Sequence, residues 1–334
     1  MSKLDPTTPM QGQIKIGTRA SPLAMAQAEQ VRDTLAALPQ FAHCKLTLVS
    51  LSTRGDQILD KPLAELGGKG LFTAELDQGL RSGEIDLAVH SLKDLPTEAV
   101  DDLVTIAAIP KREDPRDALI YADKPSAINA ADPLQHLRQG AKIGTASLRR
   151  KAQLLALRPD LDVQTLRGNV GTRLNKLKTE NFDATLLACA GLNRLGQAQQ
   201  IHIHLATNIL LPAAGQGALA IECLAARHDL REALACVHHL ETAICVAAER
   251  SFLNALDGSC RTPIAAMADF NDGEISLTGR VLFEDGSDMA EVTLKQQVSE
   301  MTIQTTDVAK QLGIQAADDI RLKAPKLVGQ ISKG

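Results

Sequence analysis

An α/β fold in three domains is what this sequence predicts, on three observations. Short apolar runs of strand length alternate with helix-like segments through the first 240 residues. The chain has 334 residues, more than one typical core accommodates. From about residue 240 the pattern changes to a long helix, alternating strands and a closing helix, which reads as a smaller α+β domain.

Each element has its own signal. The start, "MSKLDPTTPMQGQ", is polar and proline-broken, lacks an apolar targeting core, and reads as a disordered tail. "IKIGT" (14–18) is a strand; Ser21-Pro22 then supplies a cap and a first turn for the helix "LAMAQAEQVRDTLAAL". "KLTLVSLS" (45–52) is the next strand and "GLFTAELDQGLRSG" the next helix. "IDLAVHS" (85–91) and "LVTIAAI" (103–109) are further strands, and "KREDPRD" (111–117) is a charged break expected to be an inter-domain hinge.

A second α/β unit begins with "DALIY" and "AKIGTAS", runs through "DVQTL" and a helix over 170–180, and reaches "DATLLACA". The glycine-punctuated "ILLPAAGQGALAIEC" (209–223) reads as a return crossing. The helix "TAICVAAERSFLNAL" leads to the loop "DGSCRTP"; "PIAAMADF", "EISLTGRVLFEDG" and "AEVTLKQQ" then form an antiparallel sheet with a hairpin at Asp285-Gly286.

Composition excludes several classes. With 36 Lys+Arg against 40 Asp+Glu the net charge is -4, so the global basic field of a nucleic-acid binder is missing. Aromatic residues are 2% with no Trp, which argues against base-stacking platforms. No run of about 18 apolar residues is present, so no membrane span is expected. The cysteines at 44, 189, 223, 236, 245 and 260 include no C-x-x-C; neither a disulfide framework nor a metal site is expected, and a cytoplasmic location fits.

The chemistry-bearing residues fall at strand ends. "KIGTRASPL" (15–23) and "KIGTASLRR" (142–150) repeat one strand-to-helix string, where free helix N–H groups favour an anion. Arg19 lies in the first copy, Arg149 and Arg150 in the second, and Arg167 and Arg173 flank the "GNVG" turn. Guanidinium groups bind carboxylate or phosphate through paired hydrogen bonds, so the ligand is expected to be a polyanion. His90, Lys93 and Asp94, at the C-terminal end of the strand "IDLAV", are the reactive candidates: Lys93 as a Schiff-base amine, anion clamp or surface charge, and Asp94 as an acid/base group, electrostatic stabiliser or helix cap. Cys260 follows Gly258-Ser259 in a loop and precedes Arg261, so it is a candidate nucleophile or attachment point, with an unreactive loop thiol as the alternative, whereas Cys189 sits in an apolar run and reads as core.

Over nearly its full length the chain resembles the porphobilinogen deaminase (hydroxymethylbilane synthase) family. The strings that carry this include "IGTRASPLAMAQA", "DLAVHSLKDLP", "REDPRDA", "GTASLRRKAQL", "LRGNVGTRL", "AGLNRLG", "LPAAGQGALAIEC" and "AERSFLNALDGSC". The resemblance implies two periplasmic-binding-protein-like α/β domains, 13–111 with 212–236 and 112–211, and an α+β domain, 240–334. It implies condensation of porphobilinogen into hydroxymethylbilane with release of ammonia, for haem and other tetrapyrroles. The product grows on a dipyrromethane cofactor joined by a thioether to the residue that matches Cys260.

The same resemblance makes Asp94 catalytic and places Ser21, Lys93, Thr145, Ser147, Arg149 and Arg150 on the cofactor. It places Arg19, Arg167, Arg173 and Arg194 on substrate carboxylates, and Lys69 on a mobile active-site loop. It further implies a cytoplasmic monomer that uses neither metal nor nucleic acid. Each pyrrole carries an acetate and a propionate, which is why an acidic protein would gather arginines at glycine turns. Loss of ammonia from the substrate leaves a cationic azafulvene, which a carboxylate near the pyrrole N–H groups stabilises. Glu65 stands where many relatives have lysine, and Ser259 where many have glycine. The alternative is a non-catalytic polyanion-binding protein on the same two-lobed scaffold; it would not need Cys260 or the third domain.

Overall fold

A computed structural model of the chain describes residues 10–52, 73–98, 101–127, 129, 131–256 and 262–331. In chain order its first elements are β1 (Gln11–Arg19), α1 (Pro22–Ala36), β2 (His43–Leu51), α2 (Ala74–Ser82), β3 (Leu87–Ser91), β4 (Val104–Ala108) and β5 (Asp117–Tyr121). There follow β6 (Lys142–Gly144), α3 (Leu148–Leu157), β7 (Asp162–Gln164), α4 (Val170–Thr179), β8 (Ala184–Ala188), α5 (Cys189–Arg194), β9 (Ile203–His204) and β10 (Leu219–Leu224). The last are α6 (His228–Leu234), α7 (Leu240–Ala255), β11 (Ile264–Asn271), β12 (Glu274–Leu282), β13 (Met289–Gln297), α8 (Thr305–Lys323) and α9 (Pro325–Ile331).

Two compact units result, one of Met1–Arg112 with Ala218–Thr242, the other of Glu113–Gly217 with Ala243–Gly334. The first holds a five-stranded sheet in the order β2-β1-β3-β10-β4. Its first three strands are parallel, and β10 enters antiparallel between β3 and β4. The sheet is covered on both faces. Ile14, Ile16, Val89 and Ile221 pack with Val31 and Leu35 of α1, while Ala88 packs with Leu76 and Leu80 of α2. Fully burying each such Leu, Ile or Val contributes about 1.5–3 kcal/mol.

One expectation is corrected here. Gln11–Gln13 are not tail but strand, because β1 pairs with β2 in parallel from Gln11↔His43 onward. Backbone pairing holds this exposed polar stretch, so hydropathy alone could not reveal it.

The second unit repeats the plan with the order β7-β6-β8-β5-β9, where β6, β7 and β8 are parallel and β5 is antiparallel to β8. Strand alternation divides β5 between two cores: Leu119 and Tyr121 join Ile143 and Leu154, and Ala118 and Ile120 join Leu166, Leu177 and Phe182. The run "DATLLACA" does not stay a strand to its end. It stops at Ala188, and Cys189, fully buried as expected, opens α5.

The same unit contains the antiparallel sheet β11-β12-β13 with α8 against it and the Phe252 ring of α7 packed at Gly279 of β12. A Cβ on Gly313 of α8 would fall 2.4 Å from the Ala248 carbonyl oxygen of α7, so this crossing requires glycine. Buried polar ties join this segment to the rest of its unit. Glu249, 0% exposed, accepts from the N–H groups of Gly215 (2.7 Å) and Ala268 (2.9 Å), and Arg280 Nη1 donates to Gln153 Oε1 (2.7 Å).

Candidate active site

In the first unit the parallel register Ile16↔Leu87 and Gly17↔Ala88 brings the C-terminal ends of β1 and β3 to one sheet edge. Arg19 is the last residue of β1. Ser21 caps α1, its Oγ accepting from Ala24 N–H at 3.3 Å, and Pro22 opens the helix without a missing donor. Beyond β3, Leu92–Asp94 form one 3₁₀ turn. Leu92 anchors it, fully buried and donating its N–H to Ala218 O at 3.0 Å. Lys93 and Asp94 are thereby held at the edge, with Arg19 Nη1 3.9 Å from Asp94 Oδ2. Gln27 of α1 donates to Ser91 Oγ at 2.8 Å and fixes the helix against the end of β3.

His90 takes the opposite course. By alternation it shares the α2 face with Ala88, and its Nε2 lies 3.2 Å from Glu222 Oε2 without the alignment of a hydrogen bond. It belongs to the interior.

In the second unit, Ser147 caps α3, with Oγ accepting from Arg150 N–H at 3.4 Å, and Thr145 Oγ1 accepts from Ser147 N–H at 3.2 Å. Arg149 and Arg150 follow in the first turn, both buried. Two cations at the positive end of a helix are electrostatically unfavourable unless an anion joins them. Asp117, the first residue of β5 and 0% exposed, is that anion. Its Oδ2 accepts from Arg149 Nη2 (2.7 Å) and its Oδ1 from Arg150 Nη2 (2.7 Å) and Nε (3.1 Å). Burial alone would raise the Asp117 carboxyl, but the two guanidiniums overcome it and hold the group well below the usual carboxylate range.

The glycine turn is built as its sequence requires. Gly168 has φ +120, and a Cβ there would meet Thr172 at 2.6 Å. Asn169 caps α4 by accepting from Thr172 N–H at 2.8 Å, and Arg173 Nε donates to Gly168 O at 2.6 Å. Arg167 flanks the turn, half-buried. Arg194, at the end of α5, donates to Gly217 O at 2.7 Å; burial lowers its guanidinium to about 10 against the pull of Glu113.

Asp117 is the residue that reading the sequence missed, although an aspartate opening the apolar strand "DALIY" signals a buried partner. Cys260 and Lys69, with Glu65, Ser259 and Arg261, lie outside the described residues. Asp114, Cys189 and His204 also converge, with one potential ligand atom of each within 4.8 Å of the others. Both Asp114 oxygens accept from Arg116, and burial pushes the Cys189 thiol up to about 12.

Fold and site together define an α/β protein that carries arginines and capped helix N-termini after its strand ends. Residues 14–232 match the family described as porphobilinogen deaminase, dipyromethane cofactor binding domain, and residues 243–321 match its C-terminal domain. A porphobilinogen deaminase of Geobacter sp. (strain M21) is 45% identical over 308 residues, 92% of this chain and 91% of that protein. One of Trichlorobacter lovleyi is 44% identical over 315 residues, 94% of this chain and 95% of that protein. Among solved structures, substrate binding domain 2 of Lactococcus lactis GlnP in its open conformation is 14% identical with a TM-score of 0.40, over 69% of this chain and 89% of that one. The chain belongs to the porphobilinogen deaminase family.

Proposed function

We propose that this chain is the enzyme that condenses porphobilinogen head to tail into hydroxymethylbilane, releasing ammonia, with Asp94 as its catalytic group and Cys260 as the attachment point of its dipyrromethane cofactor. The observation that carries the reading is the family match across 14–232 and 243–321, the first part being the cofactor-binding domain. We further read the chain as three domains, 13–111 with 212–236, 112–211 and 240–334, and as a cytoplasmic monomer without nucleic-acid partners. Among the described residues no helix is long and apolar enough to cross a membrane.

The cofactor, when bound, supplies a covalent primer whose free α-carbon starts the chain. The donor set fits a group rich in carboxylates: Arg149 and Arg150 outnumber their one buried carboxylate partner, and Ser147 caps a helix whose N-terminus favours an anion. Thr145, Ser147, Arg149 and Arg150 would hold it in the second unit, Ser21 and Lys93 in the first. Arg19, Arg167, Arg173 and Arg194 bind acetate and propionate groups of substrate and growing chain, and Lys69 contributes a further cation.

Asp94 performs the chemistry that its position permits. Its carboxylate, held at the sheet edge by the Leu92–Asp94 turn, faces pyrrole N–H groups and stabilises the cation formed as the substrate loses ammonia. At about 4 Å and an effective dielectric near 20, such an attraction is roughly 4 kcal/mol. That corresponds to about a thousandfold in rate. Arg19 lies beside Asp94 and binds a substrate carboxylate, so recognition and chemistry are adjacent.

Incubating the purified protein with porphobilinogen tests the reading. One ammonia should be released for each porphobilinogen consumed. Binding without consumption would instead favour the non-catalytic polyanion-binding alternative.

A further inference from the structure

We infer that Asp117 is a positioning residue for cofactor binding: it aligns the Arg149 and Arg150 guanidiniums and sets the net charge they present. This inference rests on the reading of Arg149 and Arg150 as cofactor ligands. Asp117 itself is sealed, 0% exposed. Besides the two arginines, Gln216 Nε2 donates to its Oδ1 at 3.0 Å, so the carboxylate is held on three sides.

The arginines are locked from behind as well. Arg149 Nη1 donates to Leu211 O at 2.6 Å, and Arg150 Nη1 donates to Leu186 O at 3.0 Å. Each guanidinium has five N–H donors in a rigid fork. Among the described residues Arg149 Nε donates to no protein acceptor, and neither arginine spends all its N–H groups on protein. Two guanidiniums against one carboxylate leave one net positive charge in a buried place, at the positive end of α3. A second carboxylate from a ligand is what this arrangement lacks. Without Asp117 the two cations would repel each other and lose their common orientation. With it, their forks are set before any ligand arrives, which lowers the ordering cost of binding.

The test compares Asp117→Asn, Asp117→Glu and Glu249→Gln, each expressed as the full chain. The folded fraction is isolated by size exclusion, and intact mass gives the proportion carrying the two-pyrrole adduct. Asp117→Asn keeps size and loses charge; its folded fraction should be loaded to less than about a tenth of the wild-type level. Asp117→Glu keeps the charge one methylene further out and should load several-fold better than the Asn variant, yet below wild type. Glu249→Gln alters an equally buried carboxylate that is bonded to the Gly215 and Ala268 N–H groups rather than to Asp117, and should lower the urea midpoint while leaving loading near wild type.

Full loading of either Asp117 variant overturns the inference, and the Glu variant alone decides it if the Asn protein does not fold. Depletion by Glu249→Gln as deep as that by Asp117→Asn also overturns it, since the loss would then follow from instability alone. Arg149→Leu and Arg150→Leu separate the two readings. If both load normally, their assignment as cofactor ligands fails; if they are depleted while Asp117→Asn is fully loaded, only the role of Asp117 fails.

Discussion

Arg19 Nη1 stands 3.9 Å from Asp94 Oδ2, joining the last residue of β1 to the turn after β3. The parallel pairing of those strands makes the contact possible, and it sets a carboxylate-binding cation beside the proposed catalytic carboxylate. Asp94→Asn keeps the size of the side chain and removes its charge. Turnover should fall roughly a hundredfold or more, in line with the Coulomb estimate for a carboxylate facing a pyrrole cation. The far-ultraviolet dichroism should be unchanged, and Asp94→Glu should retain more activity than Asn. An Asn variant with near-normal turnover would reduce Asp94 to a turn-forming role.

The arginines beyond the buried pair should act later in the reaction. Arg173 is fixed by Gly168 O and Arg194 by Gly217 O, and neither shares the Asp117 carboxylate. Arg173→Leu and Arg194→Leu should therefore keep the cofactor adduct while the rate of substrate capture or elongation falls about tenfold or more. Each removes charge-assisted bonds of about 1.5–3 kcal/mol. Single-turnover kinetics with intact-mass detection of the elongating species checks this. Variants that lose the adduct altogether would reassign these residues to the cofactor.

Stability should depend on acid through Asp117. Its carboxyl is held well below the ordinary value near 3.9. A depressed carboxylate stabilises the fold fully above the unfolded-state pKa, and that contribution is lost as pH falls toward the folded value. The urea midpoint of wild-type protein should thus drop between about pH 5 and pH 2.5 more steeply than that of Asp117→Asn, which has no proton to take up there. Parallel curves for the two proteins would show that the pair with Arg149 and Arg150 contributes nothing to pH-dependent stability.

Gly217 supplies a purely steric prediction. Its φ is +88, and a Cβ there would come within 2.4 Å of the Glu113 carbonyl oxygen. Gly217→Ala must strain the backbone or push that carbonyl away, at a cost of order 1–3 kcal/mol. The same move disturbs the carbonyl that receives Arg194, so turnover should fall along with the urea midpoint. An alanine variant with the wild-type midpoint would mean that the turn relaxes freely.

How far these features could be read in advance depended on their range. Ser21-Pro22 and the α1 helix were legible because a cap and its helix are neighbours in sequence. The placement of Arg19 at the end of a strand, and of Arg149 and Arg150 in the first turn of a helix, was legible for the same reason. What was not legible is that Arg149 and Arg150 share a buried carboxylate, since Asp117 is 32 and 33 residues earlier. Nor could Glu249 be seen to bind Gly215 N–H, 34 residues away, which ties the C-terminal segment to its unit. Gln11–Gln13 failed for a different reason: their strand character comes from pairing with β2 and leaves no trace in hydropathy.

The central claim, a covalent dipyrromethane primer on Cys260 serving as the base of the growing chain, is tested most directly by intact-protein mass spectrometry. Wild-type protein should be heavier than its sequence by a two-pyrrole adduct, and brief exposure to porphobilinogen should add further species spaced by one pyrrole unit. Cys260→Ser should have the bare sequence mass and no turnover. Fully active wild-type protein at the bare sequence mass, or an adduct that persists in Cys260→Ser, would contradict the account.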